Sequence, residues 1–241
     1  GLSRTGRFVR AGYAGVAASA ARRGAGVRVR LYDLDPFTLS PDIHSVAKVM
    51  ERGVDAIVVA HLYGYPADVG VVQEIAARRG VVVIEDAAQA LGSKFRGRCA
   101  GTFGIAAAIS FYPAKVLGCL GDGGAVITSD DAVYERLTEL RDHGRNADGE
   151  IVSWGMNTRL DNLQAAILDM QLKKYPSVIS RRREIASIYH EHLAGIPELI
   201  LPPAPDSDPA HFDIFQNYEI EAEQRDDLKT FLKENGIGTL V

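Results

Sequence analysis

Ser110-Phe111-Tyr112-Pro113-Ala114-Lys115 sets a hydroxyl and an amine five residues apart in an apolar setting, with a proline between them that forces a turn. A lysine held there is partly desolvated, which makes its amine a better nucleophile. The run Val81–Asp86 ends in Glu85-Asp86-Ala87-Ala88-Gln89. An acid at the end of a buried strand is costly unless it meets a cation or donors. The bland alternatives are a surface lysine beside an ordinary serine, and a helix cap at Asp86. Four glycines between Gly118 and Gly124 let the backbone approach a partner closely. They precede a strand rather than follow one, which argues against a dinucleotide fingerprint. The histidines at 44, 61, 143, 190, 192 and 211 have no metal-binding spacing, so no metal site is expected. His143 reads as a last-turn helix residue facing the helix dipole.

These groups need elements to hold them. Val27–Asp33 reads as a strand that Arg28 and Arg30 make half exposed, and near-continuous apolar runs read as covered strands at Asp55–His61, Val81–Asp86, Ile105–Phe111 and Gly124–Ser129. Helices read between and after them, at Pro41–Arg52, Val69–Arg79 and Asp130–His143, each placed by cap or breaker residues. The alternation means an α/β fold with a mainly parallel sheet. In such sheets ligands sit outside the carboxyl ends of the strands, where Asp86 and the Ser110–Lys115 segment fall. After that the pattern changes. Leu160–Lys174 and Val178–Leu193 read as amphipathic helices separated around Pro176. Pro197–Pro209 reads as a loop, Asn217–Glu221 as a short strand and Arg225–Asn235 as a helix. This divides the chain into a large domain, 1–175, whose N-terminal part reads as incomplete, and the beginning of a smaller α+β domain, 176–241, read as truncated.

The chain has 241 residues, 46% of them apolar, enough for a substantial core. Its net charge of −4 offers no basic field for nucleic acid. No apolar run approaches the ~18 residues of a membrane span, and no signal peptide is visible. Two cysteines, Cys99 and Cys119, make neither a disulfide framework nor a metal site, so a reducing, cytoplasmic compartment is expected.

One chemistry uses Asp86 and Lys115 together. A pyridoxal-type cofactor needs a lysine for its imine and a carboxylate to keep its ring nitrogen protonated, and neighbouring strand ends can supply both. The sequence here resembles the DegT/DnrJ/EryC1/StrS sugar aminotransferases, of aspartate-aminotransferase fold type I. The carriers are His61-Leu62-Tyr63-Gly64 with Pro66-Ala67-Asp68, Ile84-Glu85-Asp86-Ala87-Ala88-Gln89-Ala90, Gly101-Thr102-Phe103-Gly104 and Ser110–Lys115. Gly121–Val126, Leu140-Arg141-Asp142-His143-Gly144 and Asn157-Thr158-Arg159-Leu160-Asp161 complete them.

The resemblance implies a PLP-transferase fold with helices on both faces of the sheet, and pyridoxal 5′-phosphate as cofactor. It makes Lys115 the Schiff-base lysine, Asp86 the partner of the pyridine nitrogen, Gln89 the partner of the phenolic oxygen and Ala88 the small residue against the ring. Ser110 becomes a phosphate ligand. Asn157 reaches the phosphate of a neighbouring subunit's cofactor, which implies a homodimer with shared active sites. Tyr112 and Arg159 become substrate contacts. The implied substrates are an amino acid, glutamate for preference, and a nucleotide-linked keto-deoxysugar. The sequence departs from the family before Val27. A phosphate-binding turn is not found there, and Gly15, with Tyr13 nearby, stands where an aromatic stacks on the ring. Two other readings stay open: a non-catalytic, regulatory or truncated relative, and a keto-sugar dehydratase. In the latter, histidine replaces the lysine, so Lys115 argues against it.

Overall fold

The computed structural model describes residues 26–241 in full and the backbone alone of 7–11; Tyr13 and Gly15 lie outside the described residues. Six strands form the central sheet: β1 (Arg7–Ala11), β2 (Arg28–Tyr32), β3 (Ala56–Ala60), β4 (Val82–Asp86), β7 (Ala106–Ser110) and β8 (Gly124–Thr128). Their order is β2-β1-β3-β4-β7-β8. All neighbours run parallel except β7 and β8, so the sheet ends in one antiparallel edge. The expected α/β architecture is thus present. β1 is an addition to it. It lies between β2 and β3, yet its sequence, Arg-Phe-Val-Arg-Ala, lacks the unbroken apolar run that marks a covered strand.

Helices α1 (Ile43–Glu51) and α2 (Val69–Ala77) cover one face of the sheet. Asp42 caps α1 by accepting from the Ser45 backbone N–H at 2.6 Å. Val46, Val49 and Met50 of α1 pack with Val69, Val72 and Ala76 of α2 and with Ile57, Val59 and Val83 of the sheet. Phe95 and Phe103 close that core. They flank a small hairpin of β5 (Lys94–Phe95) and β6 (Arg98–Cys99).

After β8 come α3 (Asp131–Arg141), α4 (Asn162–Leu172) and α5 (Tyr175–Leu193). His143 lies beyond α3 rather than in its last turn. Its φ is +59°, and its N–H donates to the Met156 carbonyl at 2.9 Å. Pro176 sits in the first turn of α5, where its missing N–H costs nothing, so the break between the helices falls before it. Tyr175 and Ile179 of α5 join Leu117, Cys119, Leu168 and Ile214 in a second core.

The remaining elements are β9 (Leu199–Ile200), β10 (His211–Phe212), β11 (Glu221–Ala222) and α6 (Arg225–Glu234). The strand expected over Asn217–Glu221 is reduced to Glu221–Ala222, paired with β9 inside the expected loop. The reason is local: the Asn217 N–H donates to the Tyr63 carbonyl at 3.1 Å, not to a strand neighbour. β10 pairs antiparallel with β5 and so stitches the later part of the chain to the earlier.

Candidate active site

Successive residues of a strand face opposite sides of the sheet, so Glu85 and Asp86 diverge at the end of β4. Glu85 faces the α1–α2 core and is fully buried. Its carboxylate accepts from Gly101, Phe103 and Gly104 N–H groups, each at 2.6 Å, and bonds His61 Nε2 at 2.9 Å. His61 Nδ1 accepts from the Ala67 N–H at 3.0 Å, so the ring proton sits on Nε2 and donates to Glu85. Burial alone raises the Glu85 pKa, but the bonds from His61, Gly104 and Gly101 outweigh it and hold it below the ordinary value. This network joins the ends of β3 and β4 to the turn that feeds β7.

Asp86 lies on the other face, half-buried. Its Oδ1 accepts from the Ala88 N–H at 3.2 Å and its carbonyl accepts from the His61 N–H at 3.0 Å. A turn rather than a helix follows it, so helix capping is not its role. Gln89 Oε1 accepts from the Tyr63 N–H at 2.7 Å, which leaves the NH2 end of the amide with donors to spare.

On the neighbouring strand, Ser110 ends β7, and its Oγ accepts from the Tyr112 N–H at 3.2 Å. The chain then turns. Lys115 N–H donates to the Tyr112 carbonyl at 2.8 Å, and Cys119 N–H returns to the Phe111 carbonyl at 2.7 Å. A Cβ on Gly118 would lie 2.8 Å from the Tyr112 carbonyl oxygen and 2.9 Å from that of Pro113, so this tight return needs glycine. Lys115 is half-buried. Burial lowers its pKa, and the negative charge of Asp86 opposes that only in part.

The other expected site residues, Asn157, Arg159 and Tyr112, make no hydrogen bond to the side chain of Lys115 or Asp86, though the Tyr112 carbonyl accepts from the Lys115 N–H. Asn157 and Arg159 are exposed and bond one another, Nε to Oδ1, at 3.1 Å. Arg159 also reaches Asp142 at 3.1 Å. None of these bonds runs to Lys115, Asp86 or Ser110. Tyr112 is 53% exposed beside the lysine turn. Among the described residues no cluster could hold a metal ion.

Sequence reasoning missed Gln216. Its side chain reaches the lysine turn from a hundred residues away, bonding the Val116 N–H and the Ala114 carbonyl, each at 2.9 Å. No local signal marks an isolated glutamine in a short irregular segment. The His61–Glu85 pair was closer to hand, since a buried acid beside Asp86 demands donors.

Comparison with known proteins gives the family. The sequence profile of the DegT/DnrJ/EryC1/StrS aminotransferase family matches residues 9–241. The chain belongs to this family. A dTDP-3-amino-3,4,6-trideoxy-alpha-D-glucose transaminase from Streptomyces venezuelae is 43% identical over 204 residues, 84% of this chain and 52% of that protein. A "pleiotropic regulatory protein" of Geobacillus stearothermophilus is 40% identical over 218 residues, 90% of this chain and 58% of that protein. The crystal structure of S. venezuelae DesV in complex with a ketimine intermediate superposes with a TM-score of 0.92 at 36% identity, covering 98% of this chain and 63% of that one. The chain therefore spans little more than half the length of these curated relatives.

The residues of this DegT-family chain fit the family's cofactor, pyridoxal phosphate. An amine is partly desolvated beside a carboxylate, a serine hydroxyl ends the adjacent strand, and an amide keeps free donors on the turn between. Among the described residues, no helix is long and apolar enough to cross a membrane.

Proposed function

We propose that the protein is an aminotransferase that moves an amino group from an amino acid, glutamate for preference, to a nucleotide-linked keto-deoxysugar. The observation that carries this is the half-buried Lys115 in the turn after β7, next to the parallel strand β4 that ends at Asp86. Bound pyridoxal phosphate supplies an electron sink that stabilises negative charge on the substrate carbon. The rest falls to the protein. Lys115 Nζ would hold the cofactor and would move a proton at that carbon, a task suited to an amine whose pKa is lowered by burial. Asp86 would keep a proton on the ring nitrogen, the NH2 of Gln89 would donate to the phenolic oxygen, and Ser110 would donate to the phosphate. Ala88 leaves room for the ring. Tyr112 and Arg159 orient substrate.

Asn157 serves the cofactor phosphate of a second copy, which makes the working unit a homodimer. The apolar side chains around Asn157 support this, because Trp154 is 97% exposed and Ile151, Val152 and Met156 are exposed with it. In this reading 1–175 is the cofactor-binding domain, 176–241 begins the smaller domain, and the enzyme works in the cytoplasm. The Geobacillus relative's printed name favours a second reading, a regulatory member of the family. Names of transaminases among the relatives and the presence of Lys115 favour the first.

The test is borohydride reduction of the chain with pyridoxal phosphate, followed by peptide mass spectrometry. We expect the reduced adduct on the peptide holding Lys115, and none in Lys115→Ala. An adduct spread over surface lysines, unchanged in Lys115→Ala, sinks the assignment. Turnover with a keto-sugar nucleotide then separates enzyme from regulator.

A further inference from the structure

Gln216 meets the lysine turn at two points, and they flank Lys115. Its Oε1 accepts from the Val116 N–H and its Nε2 donates to the Ala114 carbonyl, each at 2.9 Å. A primary amide pairs with one peptide unit on each side much as a neighbouring strand does, and only an amide offers that donor and acceptor together. Both bonds fix the amide orientation, since a flip sets two donors against each other and two acceptors against each other.

Gln216 is itself held on both sides. Arg182 Nη1, from α5, donates to the Phe215 carbonyl at 3.0 Å and to that of Gln216 at 3.2 Å. The Asn217 N–H donates to the Tyr63 carbonyl at 3.1 Å, and the Ile214 N–H to that of Gly64 at 3.3 Å. Two uncommon backbone conformations face each other here, Tyr63 at φ +57° and Phe215 at φ +49°. A Cβ on Gly64 (φ +102°) would lie 2.6 Å from the Gln216 nitrogen, so the contact is as close as backbone allows. Non-glycine residues persist in left-handed backbone where their surroundings over-determine them. Tyr63 also donates to Gln89. One continuous set of bonds thus runs from α5 through Gln216 to the lysine turn, and through Tyr63 to the turn after Asp86.

We propose that Gln216 is a positioning residue for Lys115: its amide clamps the peptides on either side of the lysine, so residues 213–217, far along the chain, complete the lysine site. This rests on the role given to Lys115 above. Loss of the clamp frees the turn, admits water to the amine and lets Nζ wander from its attack geometry. The expected cost to the condensation of Nζ with the cofactor's aldehyde, which releases water, is roughly tenfold in rate.

The test begins with the cofactor-free chain and the isosteric Gln216→Met, which keeps side-chain length but lacks both bonds. Amide exchange at Val116 and the pH profile of Lys115 acylation, by competitive labelling, are measured in both proteins. We expect Val116 to exchange roughly tenfold faster in the variant and the Lys115 profile to move toward that of an ordinary lysine. Unchanged exchange and an unchanged profile overturn the proposal. Should Gln216→Met fail to fold, Gln216→Glu serves. Its protonated carboxyl offers one donor and one acceptor like the amide, whereas its carboxylate only accepts. The carboxylate still accepts from the Val116 N–H but sets an oxygen against the Ala114 carbonyl, so at neutral pH Val116 should stay protected while the Lys115 labelling profile moves toward that of an ordinary lysine; an unchanged profile overturns the clamp. Adding pyridoxal phosphate separates the two claims. No Lys115 adduct in the wild type, with the labelling profile still shifted between wild type and variant, sinks the cofactor reading and leaves the clamp standing. Adducts forming at equal rates in wild type and variant, with equal profiles, sink the clamp alone.

Discussion

Asp86 and Glu85 are adjacent acids with separate tasks, set by strand parity and by what each side chain meets. Glu85 is an anion solvated by protein: three backbone N–H groups and His61 surround it in the core. Removing the carboxylate leaves four buried donors without an acceptor, and each such orphan costs about 1–3 kcal/mol. Glu85→Ala should therefore lose roughly 3–5 kcal/mol of stability, measured by urea unfolding at neutral pH. A loss under about 1 kcal/mol refutes this account of the network. The pH dependence has a fixed sign. The folded pKa of Glu85 lies below its ordinary value of 4.5, so its contribution is complete above that pH and fades as pH falls through the folded pKa. At this scale the sequence disclosed the two groups proposed to do the chemistry, because an acid and a lysine at the ends of apolar strands are conspicuous. It did not disclose Gln216, whose partners at 114 and 116 come close only through the fold.

At the scale of elements, hydrophobic runs located the covered strands well, and the helices read from caps and breakers are present, most with trimmed ends, although the one read from Val178 begins earlier, at Tyr175, and takes Pro176 into its first turn. The strand at Arg7–Ala11 was illegible because arginines interrupt it, and Asn217–Glu221 because a tertiary bond to Tyr63 outbid strand pairing. A similar trade occurs at α2. Asp68 stands at its N-cap but makes no cap bond, because its carboxylate accepts from His211 Nε2 at 2.8 Å. Asp208 takes the other ring nitrogen at 2.7 Å, and Tyr65 stacks on the ring at 4.7 Å. Burial disfavours the imidazolium, but the bonds to Asp68 and Asp208 prevail and raise the pKa above 6.5. The ion triad thus pins β10 to the start of α2. A raised histidine pKa gives stability that is complete below the unfolded value and lost as pH rises through the folded one. Asp213, two residues on, is pushed up to about 7 by burial and erodes stability only on the way to that pH. In urea titrations across pH, the advantage of wild type over His211→Gln should be greatest below 6.5 and shrink as pH rises. A constant gap means that His211 acts by packing alone.

For the whole molecule, the apolar surface left over is as informative as the core. Helix α4 buries Leu168 but exposes Leu163 and Met170, which lie seven residues apart on one stripe. The segment carrying Asn157 adds Trp154 and Met156 to the uncovered apolar surface. Single exposed apolar residues are ordinary, whereas a collected set marks an interface. The same segment carries the residue proposed to serve a neighbouring cofactor, so the proposed homodimer would account for both the apolar surface and the exposure of Asn157. Leu163→Glu combined with Met170→Glu touches no buried side chain, and circular dichroism should show the fold intact. Two carboxylates desolvated at an interface should weaken self-association by roughly a hundredfold or more. Sedimentation should then find a dimer for wild type and a monomer for the variant, with the affinity for pyridoxal phosphate falling alongside. A variant that remains dimeric places the interface elsewhere. A monomer that keeps full cofactor affinity instead separates assembly from the site and removes Asn157 from the phosphate.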